Sequence, residues 1–473
     1  MNLEGDWVGG LEVKDTWLFI KAHFNPQKNV KTVIIPQKDI HKMVPIHFKA
    51  EPPNVYIEVE KDSQTFIFDG QVKDNTIVGD VTQSGEKGTF QLFRVADIEG
   101  TEDYFGLYKL ETDRLILFGK RWSNTVYLEE RRVVNVYPLT DATFFSEMGE
   151  TIIFKDKRAN IIWRQKDFEI SGTKVTLYRE EDVTFRNKEV TLSGTLALPV
   201  TEGPHPAVVL IHGSGAESRE GYHFLADHLA RHGIAALRYD KRGTGTSTGD
   251  WHYSTLKDLA EDTLAGVHLL QTHKDIHPEK IGLLGTSQGA WIAPIAASRS
   301  QDVAFTVFIS GAAVSPKKQE LYRVEHELHY LGFSPFQVDL RVLGYRLQLF
   351  IAKIFQKIQK VLPVSKILPK DIVFALYLDW DFDVTPYLKK VTCPVLAVYG
   401  ELDKTVPVQK SAAILEKALE NHDFTMKIFP KGNHALLESE AGAWSEVPRL
   451  KEKEFVPGYY DLISSWIAER TNK

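Results

Sequence analysis

Residues 281–290 join a strand-like segment to a helix-like one through a sharp turn, and this connection restricts what the chain can fold into. An apolar run leads into Gly285-Thr286-Ser287-Gln288-Gly289, and a helical pattern begins at Ala290. So tight a turn drives its central residue toward unfavourable backbone angles, and the flanking glycines lack the Cβ atoms that would collide with the strand and helix. The Ser287 hydroxyl is therefore predicted to stand at the apex, facing free N–H groups of the helix. G-x-S-x-G in a strand–turn–helix context is typical of a serine nucleophile.

The composition is that of a folded chain without a strong charge bias. The 473 residues carry a net charge of −6, with 43% hydrophobic and 25% charged residues. This length predicts two or three domains. The charge balance gives no reason to expect nucleic acid or an anionic membrane as a partner.

The N-terminus and the cysteine content give predictions about location, disulfides and metal sites. The N-terminus lacks a basic start followed by an apolar core, so no signal peptide is visible and a cytoplasmic location is predicted. A secreted form trimmed of its leader would look the same. No apolar run reaches transmembrane length. Because Cys393 is the single cysteine, an internal disulfide and a cysteine-based zinc cluster are excluded, and no metal site is predicted.

Residues 1–175 have the pattern of an all-β domain. Short runs rich in aromatic and β-branched residues, such as 55–59 and 65–68, are separated by turn signals. Many antiparallel strands with close turn spacing predict a barrel or a sandwich. Two interpretations of its role stay open: a structural, lid-supporting or dimerising module, or a recognition domain that binds part of the substrate. A homodimer is therefore one predicted state of the protein.

Residues 176–473 alternate between strand and helix patterns. Buried parallel strands are indicated by apolar runs at 207–211, 235–239, 304–309, 395–399 and 425–429. This alternation predicts a doubly wound, mostly parallel sheet. It stops at about 314–390, where helices are predicted over 317–331 and 335–361. The stretch is predicted to be a helical cap that packs above the carboxyl ends of the strands, with pocket lining as a second use.

A serine nucleophile requires two partners. Its hydroxyl needs a base near neutral pH, and the base needs an acid that fixes its tautomer. In this topology both come from loops after later strands, the acid first and the histidine second. Asp403 follows the strand ending at 399, and His434 follows the strand ending at 429. We therefore predict Ser287, Asp403 and His434 as the catalytic residues.

Other residues compete for these roles. Glu401 lies two positions before Asp403, but the Asp-x-x-Val-Pro spacing favours Asp403. His212 precedes Ser287 in a backbone-turn motif, which indicates a structural role. Asp240 also lies at a strand end, in a loop that is expected to shape the floor of the cleft.

The oxyanion of a tetrahedral intermediate needs hydrogen-bond donors. One is predicted to be the backbone N–H of Gln288, directly after the nucleophile. The other is predicted to come from His212-Gly213-Ser214-Gly215, from the N–H of Ser214 rather than that of Gly215. Glycines there allow the backbone to approach the substrate closely.

These motifs together resemble the α/β-hydrolase superfamily over about residues 180–473. They are His212-Gly213-Ser214-Gly215, the loop at 238–247, the turn around Ser287, Asp403 and His434. The set is similar to bacterial carboxylesterases of the dienelactone-hydrolase-like and acyl-peptidase-related branch, some of which carry an N-terminal β domain. The resemblance implies an α/β hydrolase fold with a helical cap, and a Ser–His–Asp carboxylic ester hydrolase without a cofactor. Dienelactone hydrolases proper have a cysteine where this chain has Ser287, so their lactone reaction is not carried over.

The predicted function is hydrolysis of a small-molecule carboxylic ester through an acyl-enzyme. A peptidase, an amidase or an acyl-thioesterase would use the same residues. No regular period appears in 1–175, which argues against an oligopeptidase with a β-propeller. A third alternative is a catalytically idle hydrolase fold that serves as a binding protein.

Overall fold

The protein consists of two compact units. The computed structural model describes residues 3–25, 30–38, 40–51, 53–61, 64–121, 124–359, 365 and 368–472. One unit comprises Met1–Val175 with Pro448–Lys453, and the other comprises Thr176–Val447 with Glu454–Lys473. The short segment Pro448–Lys453 thus belongs to the first unit, although its place in the chain lies inside the range that the sequence assigned to the catalytic domain. Positions 360 and 361 of the predicted second helix lie outside the described residues.

The first half of the first unit is a nine-stranded antiparallel sheet in the order β4-β3-β2-β1-β9-β8-β7-β6-β5. Buried and exposed residues alternate along its strands, as in β7, where Phe66, Phe68 and Val72 point into the core. Its strands are β1 (Gly5–Val13), β2 (Thr16–Asn25), β3 (Val30–Ile35), β4 (Ile40–Met43), β5 (His47–Glu51), β6 (Asn54–Lys61), β7 (Gln64–Lys73), β8 (Thr76–Gln83) and β9 (Glu86–Arg94).

The second half of the first unit is an eight-stranded closed barrel. Neighbouring strands pair in chain order, and β10 pairs with β17 to close it. Aromatic rings fill its core, among them Tyr108, Phe118 and Phe154, which pack edge to face. Its strands are β10 (Gly106–Leu110), β11 (Leu115–Arg121), β12 (Asn124–Glu129), β13 (Arg132–Pro138), β14 (Thr143–Ser146), β15 (Thr151–Lys155), β16 (Asn160–Gln165) and β17 (Phe168–Val175).

The second unit is built on an eight-stranded sheet in the order β18-β19-β21-β20-β22-β23-β24-β25. The strands from β21 to β25 in this order pair in parallel. Strand β19 pairs antiparallel with both of its neighbours, β18 and β21. The prediction of a mostly parallel sheet is therefore confirmed. Its strands are β18 (Tyr178–Asn187), β19 (Val190–Pro199), β20 (His205–Ile211), β21 (Ala235–Tyr239), β22 (Ile276–Thr286), β23 (Thr306–Ile309), β24 (Val395–Gly400) and β25 (Phe424–Phe429).

The second unit contains nine described α-helices, four of which lie in one long insertion between two neighbouring strands of the sheet. The helices are α1 (His223–Arg231), α2 (Leu256–Gln271), α3 (Gly289–Ala297), α4 (Pro316–Tyr330), α5 (Pro335–Gln359), α6 (Lys370–Tyr377), α7 (Thr385–Leu388), α8 (Val408–Ala418) and α9 (Tyr459–Thr471). Helix α2 begins with a capping box between Thr255 and Asp258, which satisfies N–H groups of its first turn. Helices α4 to α7 all lie between β23 and β24, and we call α4, α5 and α6 the helical insertion. Among the described helices, none combines the length and the apolar character needed to cross a membrane.

A buried histidine joins α1 to α9. The Nε2 atom of His228 lies 3.1 Å from the Ser464 hydroxyl, and its ring stacks on His232 and Tyr460. Burial lowers the pKa of His228 to about 3, and electrostatic interactions with His232 and Arg231 act in the same direction. The imidazole is therefore neutral in the folded protein at neutral pH.

We expect His228 to make the second unit sensitive to acid. An unfolded histidine has a pKa of about 6.5, so the unfolded chain takes up a proton that the folded chain refuses. The contribution of neutral His228 to the free energy of unfolding is therefore present above about pH 6.5, and it is lost as the pH falls toward 3. From pH 6.5 to pH 5 the loss from this group is roughly 1.5 kcal/mol. Urea unfolding at both pH values should show a smaller acid loss for His228→Gln than for wild type, and equal losses would contradict this account.

Candidate active site

The turn between β22 and α3 holds Ser287 in a left-handed backbone conformation with φ of 53°. A Cβ atom at Gly285 would overlap the backbone of Gly289, and one at Gly289 would overlap the carbonyl oxygen of Ile211. Only glycine therefore allows strand, turn and helix to come this close. The N–H of Ser287 donates to the carbonyl of Ile309 at 2.8 Å, which ties the turn to the neighbouring strand β23.

The structure brings Ser287 and Asp403 within hydrogen-bonding distance of His434, which lies between them. His434 Nε2 lies 3.1 Å from Ser287 Oγ, and His434 Nδ1 lies 2.7 Å from Asp403 Oδ2. These atoms come from loops after β22, β25 and β24, although 147 residues separate the serine from the histidine. Parallel strands place their carboxyl ends at the same edge of a sheet, which is why such distant positions meet.

The Asp403 carboxylate is buried and held in one orientation. Its Oδ1 atom accepts hydrogen bonds from the N–H groups of Thr405 at 2.7 Å and Val406 at 2.9 Å. Its side chain has no exposed surface, so Oδ2 is directed at His434. The competing acid Glu401 instead lies near the surface and accepts from the N–H of Lys431.

The loops that carry Asp403 and His434 touch through their backbones. A Cβ atom at Gly400 would overlap the carbonyl oxygens of Gly432 and Asn433. The side-chain oxygen of buried Asn433 accepts from the N–H groups of Ala435 at 2.9 Å and Leu437 at 3.1 Å, which shapes the turn around His434. The position of the histidine against the aspartate thus depends on a close approach that a larger residue would prevent.

The two predicted oxyanion donors lie at the ends of adjacent strands. Gln288 follows Ser287 as the N-cap of α3, and Ser214 lies in the loop after β20. Within the described part of the chain, the backbone N–H groups of these two residues have no hydrogen-bond acceptor. They are therefore available to a ligand. The N–H of Gly213, by contrast, is used internally by Glu217 and by the hydroxyl of Tyr222.

A buried lysine supports the loop that carries Ser214. Lys241 Nζ donates to the carbonyl of Gly213 at 2.8 Å and to the side-chain oxygen of Gln288 at 3.1 Å. It also lies over the ring of Trp251. Burial lowers the pKa of Lys241 to about 8, and the charge of Glu217 opposes that fall. One ammonium group thus holds both strand ends that carry the predicted donors.

Glu217 completes this support from the other side of Gly213. Its carboxylate accepts from the N–H of Gly213 at 3.0 Å and from the hydroxyl of Tyr222 at 3.2 Å. Burial raises the pKa of the Glu217 carboxyl, and Lys241 opposes the rise. Sequence reasoning missed Lys241, Glu217 and Tyr222. The only available signal was the position of Lys241 next to Asp240 at a strand end.

His212 and Asp240 both make hydrogen bonds within the second unit, and neither contacts Ser287, Asp403 or His434 through a hydrogen bond between the described residues. The His212 ring is fully buried and hydrogen-bonds the carbonyl of Tyr239, and burial lowers its pKa to about 3. Asp240 accepts from the N–H and the guanidinium of Arg219, both at 2.9 Å, and from the N–H of Thr246 at 3.1 Å. These bonds fix the loop after β21.

Two groups of metal-ligating side chains come together among the described residues, and neither includes a predicted catalytic residue. They are His228, His232 and Asp461, and Glu181, His273 and Asp275. In the second group, Arg179 bridges Glu181 and Asp275, so those carboxylates are already paired. Ser287, His434 and Asp403 are the residue types of nucleophilic acyl transfer, a reaction that these groups can carry by themselves.

We expect an added methyl group at Gly400 to separate Asp403 from His434. Gly400→Ala must push the carbonyls of Gly432 and Asn433 away, so ester turnover should fall more than about ten-fold, since small misplacements of catalytic groups have large effects. The unfolding midpoint should fall as well. Gly221→Ala is the matched control because a Cβ atom there meets open space. Wild-type turnover in Gly400→Ala would contradict the role given to this contact.

Comparison with known proteins indicates a serine hydrolase, as the motifs do. The model of the Hydrolase_4 family, described as serine aminopeptidase, S33, matches residues 202–441. Esterase EstD of Thermotoga maritima is 25% identical over 305 residues, which cover 62% of this chain and 68% of that protein. The monoacylglycerol lipase of Mycolicibacterium smegmatis is 24% identical over 290 residues, covering 56% of this chain and 88% of that protein.

Among solved structures, the chain is similar to that of the 2,6-dihydroxy-pseudo-oxynicotine hydrolase. It covers 61% of this chain and 67% of its own, with 18% identity and a TM-score of 0.41. The sequence-based predictions of an α/β hydrolase and of a serine hydrolase of the esterase class are confirmed by the family match and the relatives. Because the matched range 202–441 is just over half of its 473 residues, the chain belongs to the Hydrolase_4 family, serine aminopeptidase, S33.

Proposed function

We propose that the protein is a serine carboxylesterase that hydrolyses small-molecule carboxylic esters with Ser287, His434 and Asp403. The observation that carries this proposal is the line from Ser287 Oγ, through both ring nitrogens of His434, to a buried carboxylate. The esterase and the lipase among the relatives support an ester as the substrate class.

The first half of the reaction forms an acyl-enzyme. Ser287 Oγ attacks the acyl carbonyl while His434 Nε2 takes its proton, and the Asp403 carboxylate stabilises the imidazolium through Nδ1–H. The N–H groups of Gln288 and Ser214 receive the oxyanion. The intermediate collapses when His434 returns the proton to the departing alkoxide, so the alcohol leaves and the acyl group stays on Ser287.

The second half repeats these steps with water. His434 Nε2 removes a proton from water, and the resulting hydroxide attacks the acyl carbonyl of the acyl-enzyme. The second tetrahedral intermediate uses the same two N–H groups. Its collapse breaks the bond to Ser287 Oγ, which regains the proton from His434, and the carboxylic acid is released.

The proposal includes the helical insertion as a cap over this site. The carboxylate of Glu327, which is buried in α4, accepts from the N–H groups of Trp444 and Ser445. The Trp444 ring lies 6.0 Å from the His434 ring, edge to face. Helix α4 therefore supports a loop beside the proposed base, which is the position of a wall for the acyl or alcohol group.

The family description favours one alternative, hydrolysis of an amide by the same residues. Serine aminopeptidase is the description that the matched family carries. A thioester is a further substrate of the same chemistry. Esters, amides and thioesters differ in how readily the leaving group departs, so relative rates separate them.

We expect Ser287→Ala to lose ester turnover by more than about 10⁴-fold, because the residue that forms the covalent intermediate is gone. Wild type and variant should be compared on p-nitrophenyl butyrate, on the matching anilide and on a butyryl thioester. The proposal expects the ester to be cleaved fastest. If the anilide were cleaved faster than the ester, the protein would be a peptidase or an amidase instead of an esterase.

Ser300→Ala is the matched control, because this half-buried hydroxyl bonds only Asp302 within the described residues. It should keep wild-type rates. A fluorophosphonate probe should label wild type and Ser300→Ala but not Ser287→Ala. Absence of both labelling and turnover in folded wild type would mean a catalytically idle binding protein.

We expect Lys241→Met to lower kcat by roughly ten-fold to a hundred-fold, below the 10²–10³ effect of removing an oxyanion donor itself. The variant keeps the length of the side chain but leaves the carbonyl of Gly213 and the amide oxygen of Gln288 without their donor. KM should change less than kcat, since Lys241 is proposed to position donors that act in the transition state.

Lys274→Met removes an exposed lysine and should leave both constants unchanged. The unfolding midpoints of the two variants are needed beside the kinetics. A folded Lys241→Met enzyme with wild-type kcat would remove Lys241 from the support of the oxyanion donors.

A further inference from the structure

Helix α5 has two apolar faces on opposite sides. One face, with Val338, Val342 and Leu349, is buried in the second unit. The other face is exposed, and we call it the exposed stripe. It consists of Phe336, Leu340, Leu343, Leu347, Phe350 and Ile354, and the partly exposed Ile351 and Phe355 lie along one side of it. At 3.6 residues per turn, the two faces lie about half a turn apart.

The exposed stripe lies at the upper end of the sizes of apolar patches found on isolated proteins. Phe336 is 75% exposed, and Leu343 and Phe350 are each 61% exposed. A buried aromatic side chain covers about 150–250 Å², so the six residues together present on the order of 600 Å². That is above most patches on monomers and approaches the roughly 800 Å² per partner of a standard interface.

The spacing of the stripe indicates what covers it. Its residues follow one another at intervals of four, three, four, three and four. This is the a and d pattern of a heptad repeat, which fits the narrow seam between two packed helices. A flat partner surface would not select for apolar residues that recur every 3.5 residues along one narrow line of the helix. The partner is therefore a helix with the same kind of pattern.

A second copy of the chain supplies such a helix, and an antiparallel pair suits it best. The layers would then join Leu343 to Leu347, Leu340 to Phe350 and Phe336 to Ile354 of the second copy. Each phenylalanine meets an aliphatic side chain, whereas in a parallel pair each would face its own copy. The arrangement is self-complementary and closes after two copies.

The charges beside the stripe agree with the antiparallel direction. Asp339 and Lys353 flank it near opposite ends. A two-fold axis near Arg346 would bring each beside the other of the second copy, where Asp339 would share the Lys353 ammonium with Asp381 of that copy. Two attractive pairs then stand against one repulsive pair of Arg346 with its copy. A parallel pair would place Asp339 opposite Gly344 and leave its charge uncompensated.

We propose that a second copy of this chain covers the exposed stripe, and that the two α5 helices pack antiparallel about a two-fold axis near Arg346. None of the residues of this interface belongs to the proposed catalytic residues or oxyanion donors, so the interface can be tested separately from the proposed reaction.

The mass in solution tests the interface. Sedimentation equilibrium at micromolar concentration should give wild type twice the 53.7 kDa of one chain. Leu343→Glu with Leu347→Glu places four carboxylates in the central layers and should yield monomers. Gln348→Glu adds the same charge to an exposed position of α5 outside the stripe and should stay dimeric. Circular dichroism and the unfolding midpoint check that each variant is folded.

The direction of the helices has its own variant. Asp339→Lys would turn two attractive pairs with Lys353 into repulsive ones, so the dimer dissociation constant should rise roughly ten-fold at low salt and less at high salt. An unchanged constant would overturn the antiparallel arrangement.

Three results would overturn the interface itself. The first is a monomeric wild type. The second is a dimer that survives Leu343→Glu with Leu347→Glu. The third is a monomer that binds phosphatidylcholine vesicles through the stripe, since the occupant would then be a lipid surface.

Discussion

The left-handed backbone of Ser287 is the constraint on which the site depends. A non-glycine residue in this conformation costs on the order of 1 kcal/mol or more, and it persists only where the surroundings enforce it. Here the buried second half of β22 (residues 281–285) and the buried helix α3 meet at the turn, and the bond from Ser287 to Ile309 fixes it to β23. Because Gly289 lies against the end of β20, the same contact also brings the loop at 212–215 beside Ser287.

The remaining geometry is built from backbone contacts rather than from long side chains. Asp403 is oriented by two N–H groups, and the loop of His434 is shaped by the buried amide of Asn433. Gly400 lets these loops touch. Such contacts leave few rotamers to fix when a substrate binds, which is the physical meaning of a preorganised site. The buried Lys241 and the partly buried Glu217 do the same for the loop of Ser214, since one bonds the carbonyl of Gly213 and the other its N–H group.

The predictable parts of the structure are those whose signal is local. The turn at Ser287 carries its own glycines, and the positions of Asp403 and His434 follow from strand order, since parallel strands end at one edge. Lys241 could not be predicted, because lysine is rarely buried and no periodicity marks the exception. The first unit shows the same limit. Its strands were indicated by turn signals, but the pairing of β1 with β9 joins residues about eighty positions apart, so a sheet and a separate closed barrel could not be told apart.

Helix α5 shows why apolar periodicity alone does not reveal what is covered. Apolar residues recur on both sides of this helix, and the structure separates a buried face around Val342 from the exposed stripe on the other side. Helix α5 is also bonded to α4, since the Tyr345 hydroxyl donates to the carboxylate of Glu320 at 3.0 Å. Helix α4 in turn holds the Trp444 loop through Glu327. A partner that binds the stripe stabilises the folded insertion by mass action, and with it the proposed wall of the site.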